Sequence, residues 1–303
     1  MYKKLFLALA GISLSAGCGG GSGTNAPVTT VYSGSTVQAT VTTTNAKSLS
    51  EDAFFDSQLT FSVSVSKVTT EKNNHAALLR ETAVILENSV STIVGAPRSP
   101  AKAVAATAQN TSYGYSGSAS YSITYDQKSG SFNGLVTFSQ YAETSTSATL
   151  SGPVSFSGVY NQATGSFTSM NMSMSSLTGI DGGESFTLSG NMSTSTGGAT
   201  ETMAMSVVIA DNVSGRTYWM KDFTFALTGG SLSVTGTYYN PDDGYVVIST
   251  VTPLAVTDFE ATPTSGRLLF SGSNGTKARL TFTSSGSTVE ADTIGNGTYV
   301  VVP

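Results

Sequence analysis

The chain is short of most residues from which catalytic and metal centres are built. Its 303 residues include one cysteine, one histidine and one tryptophan. The lone histidine, His75, sits among Asn73, Asn74 and Ala76 at a helix start, with no residue nearby to act as its partner, and reads as a solvated side chain. Charged residues make up 11% of the chain, against ~25% in an ordinary globular protein. Lys and Arg number 14 and Asp and Glu 19, a net charge of −5 that argues against nucleic acid or an anionic bilayer surface as partner. After Cys18 no apolar run is long enough to cross a membrane. Gly-x-Ser-x-Gly, His-Glu-x-x-His and a phosphate-cradling loop with lysine are all missing. Serine, threonine and glycine fill the space, alternating with aromatic and branched residues, so the composition is not that of a disordered chain.

The first two dozen residues carry an address. Lys3 and Lys4 precede the apolar run Leu5 to Ile12, and Leu14-Ser15-Ala16-Gly17-Cys18 closes it with small residues. That order is a secretory signal peptide, its apolar part too short for a permanent span. The small residues before Cys18 resemble the lipobox of bacterial lipoproteins, with Ser15 where that family prefers leucine. The resemblance implies an acylated Cys18 at the mature N-terminus, and Gly19 after it points to the outer membrane. The mature chain then has 303 − 17 = 286 residues and, without Lys3 and Lys4, a charge of −5 − 2 = −7. With Cys18 used by the anchor, no thiol remains for a disulfide, a nucleophile or a metal. Stability must come from core burial and sheet hydrogen bonds.

The spacing divides the chain into a signal peptide (1–17), a lipidated Cys18 with a flexible or extended tether (18–47), a helical segment (48–96), a linker (97–112) and an antiparallel β-domain (113–303). Cys18-Gly19-Gly20-Gly21-Ser22-Gly23 is the flexible start of the tether, and residues 28–44 read as extended chain or a short strand. Ser48 and Glu51 fit a capping box for a helix beginning at Ser50. Asn74 caps a second, amphipathic helix bearing Leu78, Leu79, Ile85, Leu86, Val90 and Ile93, ended by Gly95 and Pro97.

The β-domain repeats. Gly117, Gly152, Gly190, Gly230 and Gly266 open about five similar units, and Tyr125-Asp126 to Phe132 matches Tyr160-Asn161 to Phe167. An Asp or Asn with a Gly four residues later, flanked by alternating strands, is a hairpin signature, and Asp211 to Gly215 and Asn240 to Gly244 repeat it. Large residues alternate with hydroxyls in Tyr121 to Tyr125 and Phe223 to Leu227, so one face is buried and one is polar. The expected fold is mainly β, a large antiparallel meander of hairpins closing into a barrel or sandwich, plugged or covered by the helix at Leu78 to Ile93. A membrane-spanning barrel is set aside, because a lipobox usually excludes one and Tyr299 to Pro303 lacks the terminal aromatic.

Carboxylates remain as candidate chemistry, since a glycosidase needs two. Asp181, Glu184, Asp242, Asp243, Asp258, Glu260, Glu290 and Asp292 are available, mostly at turns that favour Asp on backbone grounds alone. Asp292 to Gly297 half-matches a calcium loop, but Ile294 and Pro303 stand where oxygen ligands belong, and a tight turn accounts for it better. Tyr113, Tyr115, Tyr121, Tyr125, Tyr218, Trp219, Tyr238 and Tyr239 suit either a sugar-stacking face or strand core, with core favoured.

Gly183 to Gly190, Asp243 to Ile248, Thr252-Pro253-Leu254, Pro263 to Gly266 and Ser271 to Leu280 together resemble uncharacterised, Gly/Thr-rich β-repeat lipoproteins of Gram-negative bacteria. The resemblance covers residues 113–299 and carries no activity to transfer. The anchor, the tether and the repeated hairpins without a catalytic constellation point instead to a non-catalytic outer-membrane lipoprotein that binds, adheres or scaffolds, held by Cys18, with no cofactor or metal and with an envelope protein or glycan as partner. The alternatives are a barrel-type carrier of a small ligand and a carboxylate-dependent glycan hydrolase.

Overall fold

The computed structural model describes residues 29–54, 106–145, 147–161, 163–164, 166–181, 183–257 and 262–303. Cys18, His75 and the expected helix at Leu78 to Ile93 lie outside them. The described residues form fourteen strands: β1 (Ala106–Tyr113), β2 (Ser116–Tyr125), β3 (Ser131–Ala142), β4 (Thr149–Asn161), β5 (Ser166–Asp181), β6 (Glu184–Gly197) and β7 (Thr200–Asp211). They continue as β8 (Thr217–Thr228), β9 (Ser231–Asn240), β10 (Gly244–Ala255), β11 (Ser265–Ser271), β12 (Lys277–Thr283), β13 (Gly286–Asp292) and β14 (Val300–Val301). All belong to one sheet in sequence order from β1 to β14, every neighbour antiparallel.

The mainly β meander is therefore present, but it is not closed: β1 and β14 are the two ends of the sheet and do not pair. Closure into a barrel does not occur. The sheet also starts earlier than expected, since Ala106 to Ser112 is strand and not linker.

The hairpin turns form because Asx side chains fold back on their own backbone. Asp126 Oδ1 accepts the Lys128 N–H at 2.9 Å, Asn161 Oδ1 that of Ala163 at 2.9 Å, Asp211 Oδ1 that of Val213 at 2.8 Å and Asn240 Oδ1 that of Asp242 at 3.0 Å. Between turns, the period-two alternation sorts side chains to two faces. In β7, Met203, Met205, Val207 and Ile209 are buried while their neighbours are partly open.

Bulges interrupt this regularity in a transverse row. β3 gains a residue against β2 and β4, β5 against β6, and β8 against β7 and β9. A bulge bends its strand and adds twist, which keeps so wide a sheet from lying flat. Glycines face the bulges. Gly152 has φ 126° and a Cβ there would stand 2.3 Å from Ser176 O; Gly190 has φ 143° and its Cβ would stand 2.1 Å from Ser206 O. The sequence repeat of glycines is thus largely a repeat of bulge contacts. Gly230 departs from it and lies in the β8–β9 turn, while Gly236 faces the bulge of β8.

One face carries a continuous core, with Ile123, Leu150, Leu177, Leu188, Phe223, Phe225, Phe270 and Leu280 fully buried. The segment from Thr30 to Asn45, expected as a tether, is extended but bound to the sheet. It crosses the end of the sheet that carries the β7–β8, β9–β10 and β11–β12 turns. Thr30 N–H reaches Ser189 Oγ at 3.0 Å, Ser33 N–H reaches Thr217 Oγ1 at 2.9 Å, Ala39 N–H reaches Tyr245 O at 2.8 Å and Val41 N–H reaches Thr276 Oγ1 at 3.0 Å.

This strap leads into α1, a π-helix (Ser48–Asp52) with helical residues on both sides. The capping box is not Ser48 with Glu51 but Thr42 with Asn45. Asn45 Oδ1 accepts the Thr42 N–H at 2.8 Å, and Thr42 Oγ1 accepts the Asn45 N–H at 3.2 Å. Ser48 instead donates to Asn45 O at 3.0 Å. α1 buries Leu49, Ala53 and Phe54, with the Phe54 ring 5.1 Å from Phe282 of β12. Burial of side chains the size of Leu49 and Phe54 contributes roughly 1.5–3 kcal/mol each.

Candidate functional site

A trough of about 810 Å³ lies on the polar face across β3 to β8. Strand register builds its lining. Asn133, Ser157, Asn171, Ser193, Ala204 and Thr224 are successive cross-strand partners and form one row. Ser155, Ser173, Asn191 and Ser206 form a second row two residues away on the same face. Six strands at ~4.8 Å spacing make the trough ~24 Å long.

The lining chemistry is narrow. It holds no lysine, arginine or glutamate, and its single charged residue is Asp222 on the β8 bulge. Ser206 fixes that residue: its Oγ accepts the Asp222 N–H at 2.9 Å. Among the described residues, the side chains of Asn133, Asn171, Asn191, Ser155, Ser157, Ser173 and Ser193 make no hydrogen bond within the protein. Carboxamides and hydroxyls each donate and accept, so the two rows offer paired donor and acceptor positions to anything lying in the trough. Sequence reasoning did not find these residues. The available signal was asparagine in mid-strand at three places, a residue depleted from strands.

The tyrosines and tryptophan that suggested a sugar platform are separated. Tyr121, Tyr125 and Tyr238 belong to the core, and Tyr113 and Tyr115 are exposed beside the β1–β2 turn. Trp219 and Tyr239 stack at 4.7 Å, Tyr245 follows at 5.1 Å, and Tyr32 of the strap packs on both Trp219 and Tyr239. Lys221 Nζ lies 5.2 Å from the Trp219 ring centre. Trp219 and Tyr239 stack face to face while Tyr32 meets Tyr239 edge-on, so this cluster clamps the strap to β8–β10. The Tyr32 hydroxyl lies 2.9 Å from both Ser35 O and Asn240 O. Burial, with Tyr239 and Asp242 nearby, pushes its pKa up to about 12.

The candidate acids do not converge. Asp242 pairs with Arg216, Asp243 accepts the Asn45 side-chain amide, and Glu290 pairs with Arg279 at 3.2 Å. Asp181 and Glu184 face each other across the β5–β6 turn. Asp258 and Glu260 lie outside the described residues. Asp292 is buried and anchors the β13–β14 loop: its oxygens accept the N–H groups of Gly295, Asn296 and Gly297 at 2.8, 3.2 and 2.7 Å. Burial alone would raise its pKa, but those bonds outweigh it and hold the carboxyl below its usual range. Among the described residues, no three His, Cys, Asp or Glu side chains gather as metal ligands.

One acid that the sequence did not single out is displaced. Asp52 of α1 is pushed up to about 6 by burial and by Glu51, against the pull of Arg216. Neither Asp52 nor Asp242 lines the trough.

What the fold and trough define is an open antiparallel meander with a surface cleft lined by amides and hydroxyls and carrying one carboxylate, Asp222. Comparison with known protein families, curated proteins and solved structures finds no match.

Proposed function

We propose that the chain is a non-catalytic binding module anchored to the outer membrane through an acylated Cys18, and that its trough holds a neutral glycan. The two rows of Asn and Ser side chains without internal partners carry this reading. Sugar hydroxyls donate and accept as these groups do. Phosphorylated or carboxylated ligands want Arg or Lys, which the lining lacks, and Asp222 would repel them. Apolar ligands want aliphatic and aromatic walls, whereas here Phe156, Met172, Met192, Met205 and Phe223, which also line the trough, are buried, and its two rows of more open side chains are mostly amides and hydroxyls. The anchor rests on the charged start, the short apolar run and the small residues before Cys18.

The test of the glycan reading is calorimetric titration of the purified chain with a panel of neutral and acidic oligosaccharides. A neutral glycan binds, acidic ones do not, and Asn171→Ala with Asn191→Ala together weaken binding at least tenfold. Binding that survives the double variant, or no binding at all, overturns it. Release of new reducing ends during the titration would establish the hydrolase instead. Metabolic labelling with palmitate tests the anchor: the parent takes label and Cys18→Ser does not.

A further inference from the structure

The two ends of the sheet are finished differently. β14 is two residues long and stops just before Pro303. β1 runs for eight residues, Ala106 to Tyr113, with no charge, no proline and no register shift against β2. Edge strands are normally blunted by one of those devices, because their row of open N–H and C=O groups templates another strand.

On the outer side of β1 only one hydrogen bond is made among the described residues: Asn110 Oδ1 accepts the Thr111 N–H at 2.8 Å. That bond shows which groups face outward. The Thr111 amide is turned away from β2, and its hydroxyl instead meets Ser120 Oγ at 3.1 Å across a pair that exchanges no backbone bonds. By the period of two, the amides of Thr107, Gln109 and Tyr113 face outward as well.

We propose that β1 pairs antiparallel with β1 of a second copy of this chain, around a two-fold axis at Asn110. In that register Gln109 faces Thr111 of the partner subunit, Thr107 faces Tyr113 of the partner subunit, and the outward amides of each strand meet carbonyls of the other. Self-pairing suits this sequence. No charge lies on the strand, so no like charges are brought face to face. Asn110, which meets its own kind on the axis, carries a side chain that both donates and accepts, as a two-fold requires, and Gln109 and Thr111, which face each other on either side of it, do the same. Tyr113 and Tyr115, 79% and 73% exposed, stand at the end of this strand, where a second copy gives them cover. The Asn110 to Thr111 bond is the local competitor that pairing displaces.

Across the axis Asn110 meets itself in a non-hydrogen-bonded pair, where Cβ atoms approach to ~4.5–5.5 Å, near disulfide reach. The experiment is mild oxidation of purified full chain in detergent carrying Asn110→Cys or Tyr113→Cys, with the parent and its Cys18 as background. Asn110→Cys gives a covalent dimer, and Tyr113→Cys gives at most a tenth as much because its partner in this register is Thr107. Thr111→Pro lowers the dimer fraction measured by analytical ultracentrifugation about tenfold. Its thermal midpoint stays near that of the parent, since proline is tolerated where an edge N–H faces solvent. A chain that stays monomeric with no Asn110→Cys crosslink, equal crosslinking at both positions, or crosslinks only to a different protein each overturns the proposal.

Discussion

The side-chain amide of Asn45 donates to Asp243 Oδ1 at 2.9 Å, joining the start of α1 to the β9–β10 turn 198 positions away. The same amide reaches Thr40 O at 3.1 Å while its oxygen accepts the Thr42 N–H. Asn45 is therefore both the helix cap and the clasp of the strap. Asn45→Ala loses a cap and a long-range hydrogen bond and should destabilise the fold by about 1–2 kcal/mol. A lower urea midpoint at unchanged slope is the expected reading. Asn45→Asp keeps the cap oxygen but sets a second carboxylate against Asp243, so its loss should be larger at pH 7 than at pH 4.

The bulge row makes a second, sharper claim. Gly190 combines a positive φ with a backbone oxygen where a Cβ would stand, whereas Gly183 has φ 92° and nothing within 4 Å. Gly183→Ala meets only conformational strain and should cost about 1 kcal/mol. Gly190→Ala must also displace β7 and should cost about 3 kcal/mol. Equal thermal shifts for the two variants would show that the bulge is not packed as described.

Tyr32 holds the strap by its ring and by its hydroxyl, and the two contributions separate. Tyr32→Phe keeps the packing on Trp219 and Tyr239 and loses one hydrogen bond to backbone, about 1 kcal/mol. Tyr32→Ala loses both. Amide exchange in residues 30–41 should then quicken strongly in Tyr32→Ala and slightly in Tyr32→Phe, while β12 and β13 keep their protection.

Legibility in the sequence followed distance along the chain. The Asx turns at Asp126, Asn161, Asp211 and Asn240 were readable because each is closed by a backbone amide two residues on. The buried face was readable from alternation. The strap was not, since its bonds run to Ser189, Thr217, Tyr245 and Thr276, and nothing within residues 30–41 encodes those partners. The true capping pair was hidden because Thr42 and Asn45 sit in a threonine-rich run that reads as extended chain. Closure was misjudged for a different reason: alternation tells which face is buried but not whether the first and last strands meet. The trough needed register across six strands, and a single residue of slip would have turned its asparagines into the core.

Asp52 gives the fold a pH dependence of unusual sign. Burial, reinforced by Glu51, lifts its carboxyl from 3.8 to about 6 in the folded chain. Between those values the folded chain holds a proton that the unfolded chain has released, so stability falls as pH rises from about 4 to about 6. Asp126 works in the opposite direction. A backbone bond from Lys128 and a side-chain bond from Ser129 hold it below the usual value, and its contribution is lost as pH falls. The Asp52 side chain is itself exposed at the helix surface, so screening by water keeps the effect well below that of a fully buried acid. Asp52→Asn removes the proton from the balance. The variant should match the parent near pH 3.5 and exceed it in urea midpoint at pH 7. A variant no more stable than its parent at pH 7 would mean that Asp52 ionises freely and that the helix end is solvated.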